Sequence, residues 1–443
     1  MSPHASVRRG AARTRGLALL PALTALACVT PAVFPPIDAQ AQQAQSLAGL
    51  TLDDAITRAI DADPGLRAAQ AGVDAARGAR RQAGVRANPE LGVEVENFNG
   101  GGDLRGFQGA ESTFTLSQEL EVFGRRSARI RVADRQLHGA ELDRALAGLD
   151  LVRDVQLAYF DALAANELVA IETERLRTAE SLNTSVARRV QAARDPLMAG
   201  ARAQSGLAEA RIALARAQAN AASARARLSS YFAGDDGFSL IATDFALPRA
   251  EDHQHATPDD TNPQLARLVT AQEAARASTS LERSMGYQNP TLSFGYRRFE
   301  ERHGEGALVA GVTIPLGVFD RNQGAVDRSR AEERRAGFEL EAGRRVIQRE
   351  FSALQRAITT DATAIRDSET NVIPEAERAL ALARDGYDRG SFSYLDVLDA
   401  QRALTDARER RVEALRSYHL NEAALDRLTA RFAEIIPGQE IHP

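Results

Sequence analysis

Two acidic side chains near the carboxyl-terminal end of the chain could act on a charged solute. Asp396 and Asp399 lie three residues apart within a helical pattern, which places both on one face. Carboxylates are negatively charged at neutral pH and attract cations. Acids in the first turn of a helix are also favoured by the helix dipole alone, so an ordinary solvated helix start is the alternative interpretation.

Two histidines in a polar stretch are the other candidates for chemistry. His253 and His255 stand among acidic residues and could bind a transition metal. Their two-residue spacing is also typical of a solvated linker, which is the interpretation we prefer. The histidines at His138, His303 and His419 are isolated in the sequence, so we expect them at the surface.

The composition gives little support to catalysis or cofactor chemistry. All 55 basic residues are Arg, so no Lys can act as a nucleophile or form a Schiff base. Cys28 is the only cysteine, which excludes a disulfide framework and a multi-thiolate metal centre. The chain has no G-x-S-x-G, no H-E-x-x-H and no phosphate loop with Lys. Its formal net charge of −5 gives no general attraction for nucleic acid. We therefore expect no enzyme, no cofactor and no nucleic-acid partner.

Residues 1–41 have the pattern of a secretory signal. An arginine-rich start is followed by an apolar run over residues 17–29 and by a small-residue site at residues 39–41. The apolar run is shorter than the ~20 residues of a membrane span, and we expect cleavage after Ala41. Lipidation of Cys28 is the alternative, although the residues before it match a lipoprotein signal only in part.

The remaining chain repeats itself at a spacing of about 195 residues. Asn88-Pro89 recurs as Asn289-Pro290, at an offset of 201 residues, and LEVFGR at 120–125 recurs as LGVFDR, at an offset of 196. Two tandem copies of one unit explain why the order is kept. We place the first copy at 42–232, a polar connector at 233–260, the second copy at 261–435 and a tail at 436–443.

Each copy reads as a helix, two strands and a long helical hairpin. Alternating apolar and polar residues predict strands at about 91–97 and 112–118, and at about 291–299 and 307–314. Their length and alternation match membrane-spanning β-strands of ~9–11 residues. Four strands cannot close a barrel and lipid does not tolerate open edges, so spanning strands require several chains. A soluble four-stranded sheet covered by helices is the alternative.

The helical segments are unusually long. From Arg125 to about Ala192 there is no Pro and little Gly, so one helix could extend for about 100 Å. Apolar residues over 142–163 recur at a mean spacing of 3.5 residues, the period of a coiled coil. Breaks at 194–196 and 388–390 divide the helices into hairpins, and Pro374 predicts a kink.

The duplicated layout, the Asn-Pro before each first strand and the two hairpin breaks resemble the TolC-type outer-membrane efflux proteins. The resemblance covers about residues 50–430. Its most specific segment is YDRGSFSYLDVLDAQ at 387–401, which is similar to the family's second periplasmic hairpin. Two further segments, EVFGRRSAR at 121–129 and IPLGVFDRNQG at 314–324, resemble the CzcC-like heavy-metal-efflux subgroup.

This resemblance implies an α+β fold and a homotrimer. Three chains would each contribute two β-hairpins to one outer-membrane β-barrel of twelve strands, and their helices would form an α-barrel across the periplasm of a Gram-negative bacterium. The lower end would dock with a membrane-fusion adaptor and an inner-membrane pump of the resistance-nodulation-division (RND) type. The cargo would be heavy-metal cations such as cobalt, zinc or cadmium, or alternatively drugs or other small molecules.

The resemblance also assigns roles to the residues of the second hairpin. Asp396 and Asp399 would narrow the periplasmic entrance, where three chains would form a ring of carboxylates. The candidate adaptor-docking tip consists of Arg389, Gly390, Ser391 and Ser393, and a plain turn without a partner is the alternative. The first hairpin has Ala193 in place of the glycine, so the two tips need not dock alike.

Two other classes of function are compatible with these sequence patterns. One is a periplasmic coiled-coil scaffold without a pore. The other is an autotransporter or adhesin with a helical stalk, which is disfavoured because the strands fall in two separate hairpins and not in one carboxyl-terminal block.

Overall fold

A computed structural model describes residues 49–234, 237–246 and 262–436 of the chain, in which the order helix, strands, helical hairpin occurs twice. None of the described helices has an apolar segment long enough to cross a membrane. The first copy contains α1 (Leu52–Ala62), α2 (Pro64–Ala83), β1 (Glu90–Glu96), β2 (Glu111–Glu119), α3 (Arg125–Gln191) and α4 (Leu197–Ser229). The second contains α5 (Pro263–Met285), β3 (Thr291–Phe299), β4 (Glu305–Thr313), α6 (Gln323–Asp367), α7 (Ile373–Arg389) and α8 (Tyr394–Thr429).

Matching caps start the helix that precedes each β-hairpin. In the first copy a carboxylate oxygen of Asp63 accepts a hydrogen bond of 2.7 Å from the backbone N–H of Leu66. In the second copy the amide oxygen of Asn262 accepts a hydrogen bond of 3.3 Å from the N–H of Leu265. A proline follows both caps, where its missing N–H costs nothing, so the same local chemistry begins α2 and α5.

The four strands form one antiparallel sheet in the order β1-β2-β3-β4, so β2 and β3 join the two hairpins. Each strand begins and ends within two residues of the limits expected from the alternation. Among the described residues, β1 and β4 each pair with only one strand. The sheet therefore presents two open edges with rows of unpaired backbone groups.

One face of the sheet is apolar and stays uncovered by the described helices. Leu308 is 89% exposed and Leu91 is 74% exposed, and Val93, Phe294 and Val312 of the same face are also exposed. The soluble alternative requires helices over this face, so it is wrong for the described part of the chain. A contiguous exposed apolar surface of this kind marks contact with lipid or with a partner.

The opposite face of the sheet carries polar side chains, and one arginine links three of its four strands. Arg297 of β3 donates to the hydroxyl of Thr113 and to the carboxylate of Glu111 on β2, both at 3.0 Å. Its guanidinium also pairs with Glu96 of β1 at 3.2 Å. Three strands thus share one cation, and the alternation of apolar and polar faces is typical of barrel strands.

The largest core joins the middle of α3 to α8. Tyr159 is fully buried there, and its hydroxyl donates to the backbone carbonyl of Leu50 at 3.0 Å. His419 is only 2% exposed, and its ring stacks on Phe160 with 4.1 Å between the ring centroids. The expectation of a surface histidine was wrong for His419, because a helix packed on several sides buries whatever residue its inner face carries. His138 and His303 are exposed as expected.

The described start of the connector between the copies, residues 237–246, contributes apolar side chains to the core. Phe238 and Leu240 pack against the main core, and Phe245 is buried in it. Leu240 forms a parallel bridge with Leu50. The described start of the connector therefore belongs to the folded core, and the polar composition comes from residues further along.

A short π-helical turn, Ser368–Val372, separates α6 from α7. It lies just before Pro374, at the place where the sequence predicted a kink. Proline lacks an N–H and clashes with the preceding turn, and a wider turn accommodates both defects. Glu369 of this turn accepts a hydrogen bond of 2.7 Å from Arg411, which ties the irregular segment to α8.

Asp426 of α8 should make the free energy of unfolding of the chain depend on pH. Burial raises its pKa to about 6, although Arg431 at 3.3 Å opposes the rise. The folded chain then binds this proton more tightly than the unfolded chain, so stability falls as the pH rises from about 4 to 6. We expect this group to remove about 3 kcal/mol of unfolding free energy across that window.

Denaturant unfolding followed by helical circular dichroism at pH 4.5 and pH 7.5 measures this dependence. Asp426→Asn should flatten it, whereas Asp327→Asn, which changes an exposed acid on α6, should leave it as in the native chain. An identical pH dependence in the native chain and in Asp426→Asn would contradict the expectation.

Candidate functional site

The tip of the second helical hairpin joins α7 to α8 through a tight reversal. Gly390 directly follows α7 with a φ of 84°, a left-handed conformation that glycine adopts without a side-chain penalty. Its N–H donates to the carbonyl of Tyr387 at 3.0 Å, and the N–H of Ser391 donates to Gly386 at 2.8 Å. These bonds satisfy the last carbonyls of α7 and end the helix.

A second glycine determines how the tip packs. A Cβ atom at Gly386 would lie 2.1 Å from Cδ2 of Phe392, so a side chain there would displace the aromatic ring. Phe392 remains 49% exposed. The candidate docking residues Arg389, Ser391 and Ser393 are exposed around it. The tip therefore presents a polar surface with one half-exposed aromatic ring.

Ser393 and Asp396 cap the start of α8. The carboxylate of Asp396 accepts hydrogen bonds from the N–H and the hydroxyl of Ser393 at 2.7 and 2.8 Å, and the N–H of Asp396 donates to that hydroxyl at 3.4 Å. This reciprocal arrangement is a capping box. The hydrogen bonds from Ser393 also hold the pKa of Asp396 below its ordinary value. Asp396 therefore has the helix-start role that was the alternative interpretation, and it is ionised at neutral pH.

Asp399 lies one turn further along α8, and its side chain is exposed like that of Asp396. Tyr394 and Val397 on the other side of the helix are buried in the core of the tip. The two carboxylates thus lie one turn apart on the exposed side of α8.

The first hairpin reverses in the same way without a glycine. Ala193 follows α3 with a φ of 55°, and its N–H donates to the carbonyl of Val190 at 3.0 Å. The N–H of Arg194 donates to Arg189 at 2.9 Å. A Cβ atom makes this conformation costlier by about 1–2 kcal/mol, so contacts around the turn must hold it.

Three side chains, Arg189, Asp195 and Tyr387, join the two tips, and we call them the tip lock. Arg189 donates two hydrogen bonds to the carboxylate of Asp195, at 3.1 and 3.2 Å, and a third of 2.8 Å to the carbonyl of Tyr387. The hydroxyl of Tyr387 donates to Asp195 at 2.5 Å. The guanidinium carbon of Arg189 lies 4.5 Å from the centre of the Tyr387 ring, a cation–π contact.

The tip lock keeps its charges at neutral pH. The hydrogen bonds from Arg189 are the main cause that holds the pKa of Asp195 below its ordinary value, and Tyr387 lowers it further. Burial is the main cause that raises the pKa of Tyr387, and its bond to Asp195 adds to the rise. Asp195 is therefore an anion and Tyr387 a neutral donor. The sequence patterns did not indicate this group, because its bonds join residues 192 and 198 positions apart.

The described part of the chain contains no group of three or more His, Cys, Asp and Glu side chains arranged to hold a metal ion. The weak metal candidates His253 and His255 lie outside the described residues. The same is true of Cys28 and of the expected cleavage site after Ala41. Within the described residues, the site is thus a pair of linked hairpin tips.

Comparison with known proteins places this architecture in a family. The sequence pattern described as "Outer membrane efflux protein" matches residues 55–234 and 259–431. The chain is 30% identical over 389 residues to the cobalt-zinc-cadmium resistance protein CzcC of Cupriavidus metallidurans, covering 86% of this chain and 90% of that protein. It is 25% identical over 312 residues to the nickel-cobalt-cadmium resistance protein NccC of Alcaligenes xylosoxydans, covering 70% and 67%.

The fold is also similar to a solved structure. The structure of CusC, described with conformational changes that accompany transmembrane channel formation, has a TM-score of 0.72 and 20% sequence identity, covering 85% of this chain and 91% of that one. This likeness confirms the expected fold class, with long helical hairpins and two β-hairpins in a duplicated chain. The family pattern spans both copies, and the likeness to CzcC extends over most of both proteins. The chain therefore belongs to the outer membrane efflux protein family.

Proposed function

We propose that the chain is the outer-membrane channel subunit of a tripartite RND-type efflux system that exports heavy-metal cations such as cobalt, zinc or cadmium. As a member of its family, the chain lies in the outer membrane and acts as a conduit, not as an enzyme. We propose further that the chain forms a homotrimer and works with a periplasmic membrane-fusion adaptor and an inner-membrane pump. The observation that carries it is the exposed apolar face of a sheet with two open edges.

In a trimer, the open edges of the sheet can pair with strands of the neighbouring chains, so no backbone group is left unpaired in lipid. The edges of β1 and β4 each leave a row of N–H and C=O groups without strand partners in the described chain. Each unpaired group would cost several kcal/mol in hydrocarbon, so the edges must meet other strands. Three copies would form a closed barrel of twelve strands, with apolar residues such as Leu91 and Leu308 toward lipid.

The helices have the length that a periplasmic tunnel requires. α3 alone contains 67 residues, which corresponds to about 100 Å. Packed beside copies from two other subunits, such helices would carry cargo from the tips to the barrel. The tips are then the end that meets the adaptor and the pump.

Heavy-metal cations are the cargo that two kinds of observation favour. CzcC is named for resistance to cobalt, zinc and cadmium, and NccC for resistance to nickel, cobalt and cadmium. Independently, Asp396 and Asp399 expose two carboxylates on one face at the tip of each chain. In a trimer they would form a ring that attracts cations to the entrance.

Exchanging the tip carboxylates for amides should weaken the preference for cations. Asn at position 396 can still accept a hydrogen bond from the N–H of Ser393, so α8 keeps its cap. We expect the double variant Asp396→Asn, Asp399→Asn to lower the cation-to-anion permeability ratio about fivefold, since ~1 kcal/mol of attraction is lost. Reversal potentials in planar bilayers under a salt gradient measure this ratio.

Asp74→Asn on α2, far from the tip in sequence and exposed, provides the control and should leave the ratio unchanged. A double variant with the native reversal potential would remove Asp396 and Asp399 from the entrance.

The docking surface for the adaptor is the second part of the site that we propose. Arg389, Gly390, Ser391 and Ser393 are exposed at the end of the helical hairpin of the second copy. Helix ends offer backbone groups that a partner can satisfy, and the half-exposed ring of Phe392 adds an apolar contact. The first tip has Ala193 in place of the glycine and exposes Leu197 and Met198 in place of an aromatic ring. We assign docking to the second tip because its turn has the glycine and its segment is the one that resembles the family's periplasmic hairpin.

A growth assay tests the proposed function. A strain that lacks the chain should lose tolerance to cobalt, zinc or cadmium, and a plasmid copy of the native gene should restore it. A deletion strain that becomes sensitive to drugs alone would replace metals with drugs as the cargo. Unchanged sensitivity to both, with the pump and the adaptor present, would reject the proposal.

A further inference from the structure

The internal duplication provides a rule that relates one strand pairing to another. Each residue near the first strand of the first copy corresponds to the residue 201 positions later in the second copy. For the second strand the offset is 196 positions. In the structure Glu90 pairs with Ser117, and these shifts carry the two residues to Thr291 and Thr313. Thr291 and Thr313 are an observed pair. The rule therefore reproduces the register of the second hairpin from that of the first.

The contact between β2 and β3 has no second instance within the described chain. It joins the end of the first copy's hairpin to the start of the second copy's hairpin. By the duplication, β4 corresponds to β2 and β1 corresponds to β3. A contact equivalent to that between β2 and β3 would therefore pair β4, at an open edge of the sheet, with a β1 strand. The β1 of its own chain lies at the far edge of the sheet, about 14 Å away across three strand spacings. The partner of β4 must therefore be the β1 of another copy.

We propose that β4 pairs with β1 of a neighbouring copy in the register that this rule specifies, an inference that rests on the proposed homotrimer. The observed pair Ser117–Ser293 carries over to Thr313 opposite Gly92 of the next copy. The other pairs follow from this one, because each step back along β4 is a step forward along β1 in an antiparallel pairing.

The faces of the two strands agree with this register. It sets Val312 of the apolar face opposite Val93 of the next copy, which also lies on the apolar face. On the polar face, Val309 comes opposite Glu96, next to the ion pairs of Arg297. A shift by one residue would instead set apolar side chains beside the polar face.

An exposed aromatic residue provides a second, independent observation. Phe123, just after β2, stacks on Tyr287 with 5.4 Å between the ring centroids, where β2 meets β3. Its counterpart Phe319 after β4 is 92% exposed. Tyr287, the partner of Phe123, corresponds to residue 86 by the offset of 201 residues. Phe319 would therefore contact residues 85–86 of the next copy, just before its β1, where Val85 is also exposed.

The backbone hydrogen bonds show which pair suits a disulfide. The N–H of Leu120 donates to the carbonyl of Pro290, so that pair is hydrogen-bonded, and Ser117–Ser293 falls in the alternate, non-hydrogen-bonded class. By the rule, Thr313–Gly92 belongs to the same class. Opposed Cβ atoms in such pairs lie ~4.5–5.5 Å apart, close enough for a disulfide after a small adjustment.

Cysteine crosslinking in the full-length protein tests the register. The variant Thr313→Cys, Gly92→Cys should form covalent dimers and trimers on oxidation, seen on non-reducing gels. Thr313→Cys combined with Glu90→Cys or with Glu94→Cys shifts the pair by two residues and should crosslink about tenfold less. Ser117→Cys, Ser293→Cys is the matched control, because its disulfide forms within one chain at an observed pair.

Stronger crosslinking in a shifted pair would overturn the register, and so would no crosslinking in any pair while the control oxidises. Light scattering of the native protein in detergent separates this failure from that of the trimer, since a monomer would overturn both. If the cysteine variants do not assemble, Phe319→Ala should lower the dissociation temperature of the trimer more than Phe107→Ala, which removes another exposed aromatic ring. Equal temperatures for these two variants would overturn the contact.

Discussion

Replacing Gly390 with glutamate should abolish metal tolerance while the amount of trimer in the outer membrane stays the same. Among the described residues other than Gly390 and its two chain neighbours, no atom lies within 4 Å of the position that a Cβ atom would take at Gly390. The new side chain would therefore project outward, adding bulk and negative charge to the proposed docking surface. The tolerated metal concentration should fall to that of a strain without the chain.

A matched variant separates crowding from backbone strain. Gly390→Ala places a Cβ atom on the same left-handed residue and should destabilise the turn by the same amount, about 1–2 kcal/mol. It adds only a methyl group to the surface. It should retain most of the metal tolerance. Full tolerance in Gly390→Glu, with normal trimer levels on a blot of outer membranes, would remove the docking role from this tip. Equal loss in both variants would assign the effect to the turn and not to the partner.

Breaking the tip lock should produce the second large effect, an increase in channel conductance. Tyr387→Phe keeps the buried ring but removes the hydroxyl that donates to Asp195 at 2.5 Å. A hydrogen bond to a charged group contributes about 1.5–3 kcal/mol, so the balance between joined and separated tips should shift about tenfold to a hundredfold. Single-channel recording in planar bilayers should show longer or larger openings than the native channel.

A second tyrosine of the same tip provides the control. Tyr394 is also buried in this core, and Tyr394→Phe removes a hydroxyl that is not part of the tip lock. It should conduct like the native channel. Asp195→Asn should behave like Tyr387→Phe, because it weakens the ion pair with Arg189 as well. Native conductance in both lock variants would show that the tips are held by other contacts.

Local patterns in the sequence predict much of the fold because they follow from local physics. The strand alternation of Leu91, Val93 and Val95 reflects one face in lipid and one in water, so it appears in the sequence directly. The helix ends at Gly390 and at Asp195-Pro196 depend on backbone chemistry within a few residues. For this reason the observed strands and helices begin and end close to the expected positions.

Features that depend on long-range packing could not be predicted in the same way. The tip lock joins Arg189 to Tyr387 across 198 residues, and no periodicity connects them. His419 looks like any isolated polar residue in the sequence, yet its helix is enclosed on the side that carries it. Phe238 and Leu240 lie in a stretch whose average composition is polar, which hid their contact with the core.

The function of the tip carboxylates is the least predictable part of the site. The pattern Ser-x-x-Asp at Ser393 and Asp396 predicts a helix cap, and the structure contains that cap. An entrance ring would require three chains around one axis, and the geometry of a single chain contains no such axis. Asp396 and Asp399 therefore stay a prediction that only measurements on the assembled channel can test.

Cell-associated metal tests the central claim most directly. Cells that lack the chain, cells with the native chain and cells with Gly390→Glu would be loaded with cobalt, zinc or cadmium, and the metal that they retain would be measured by mass spectrometry. The proposed function predicts severalfold more retained metal in the deletion strain and in Gly390→Glu than in cells with the native chain. Equal retention in the deletion strain and in cells whose outer membranes contain the native trimer would contradict it.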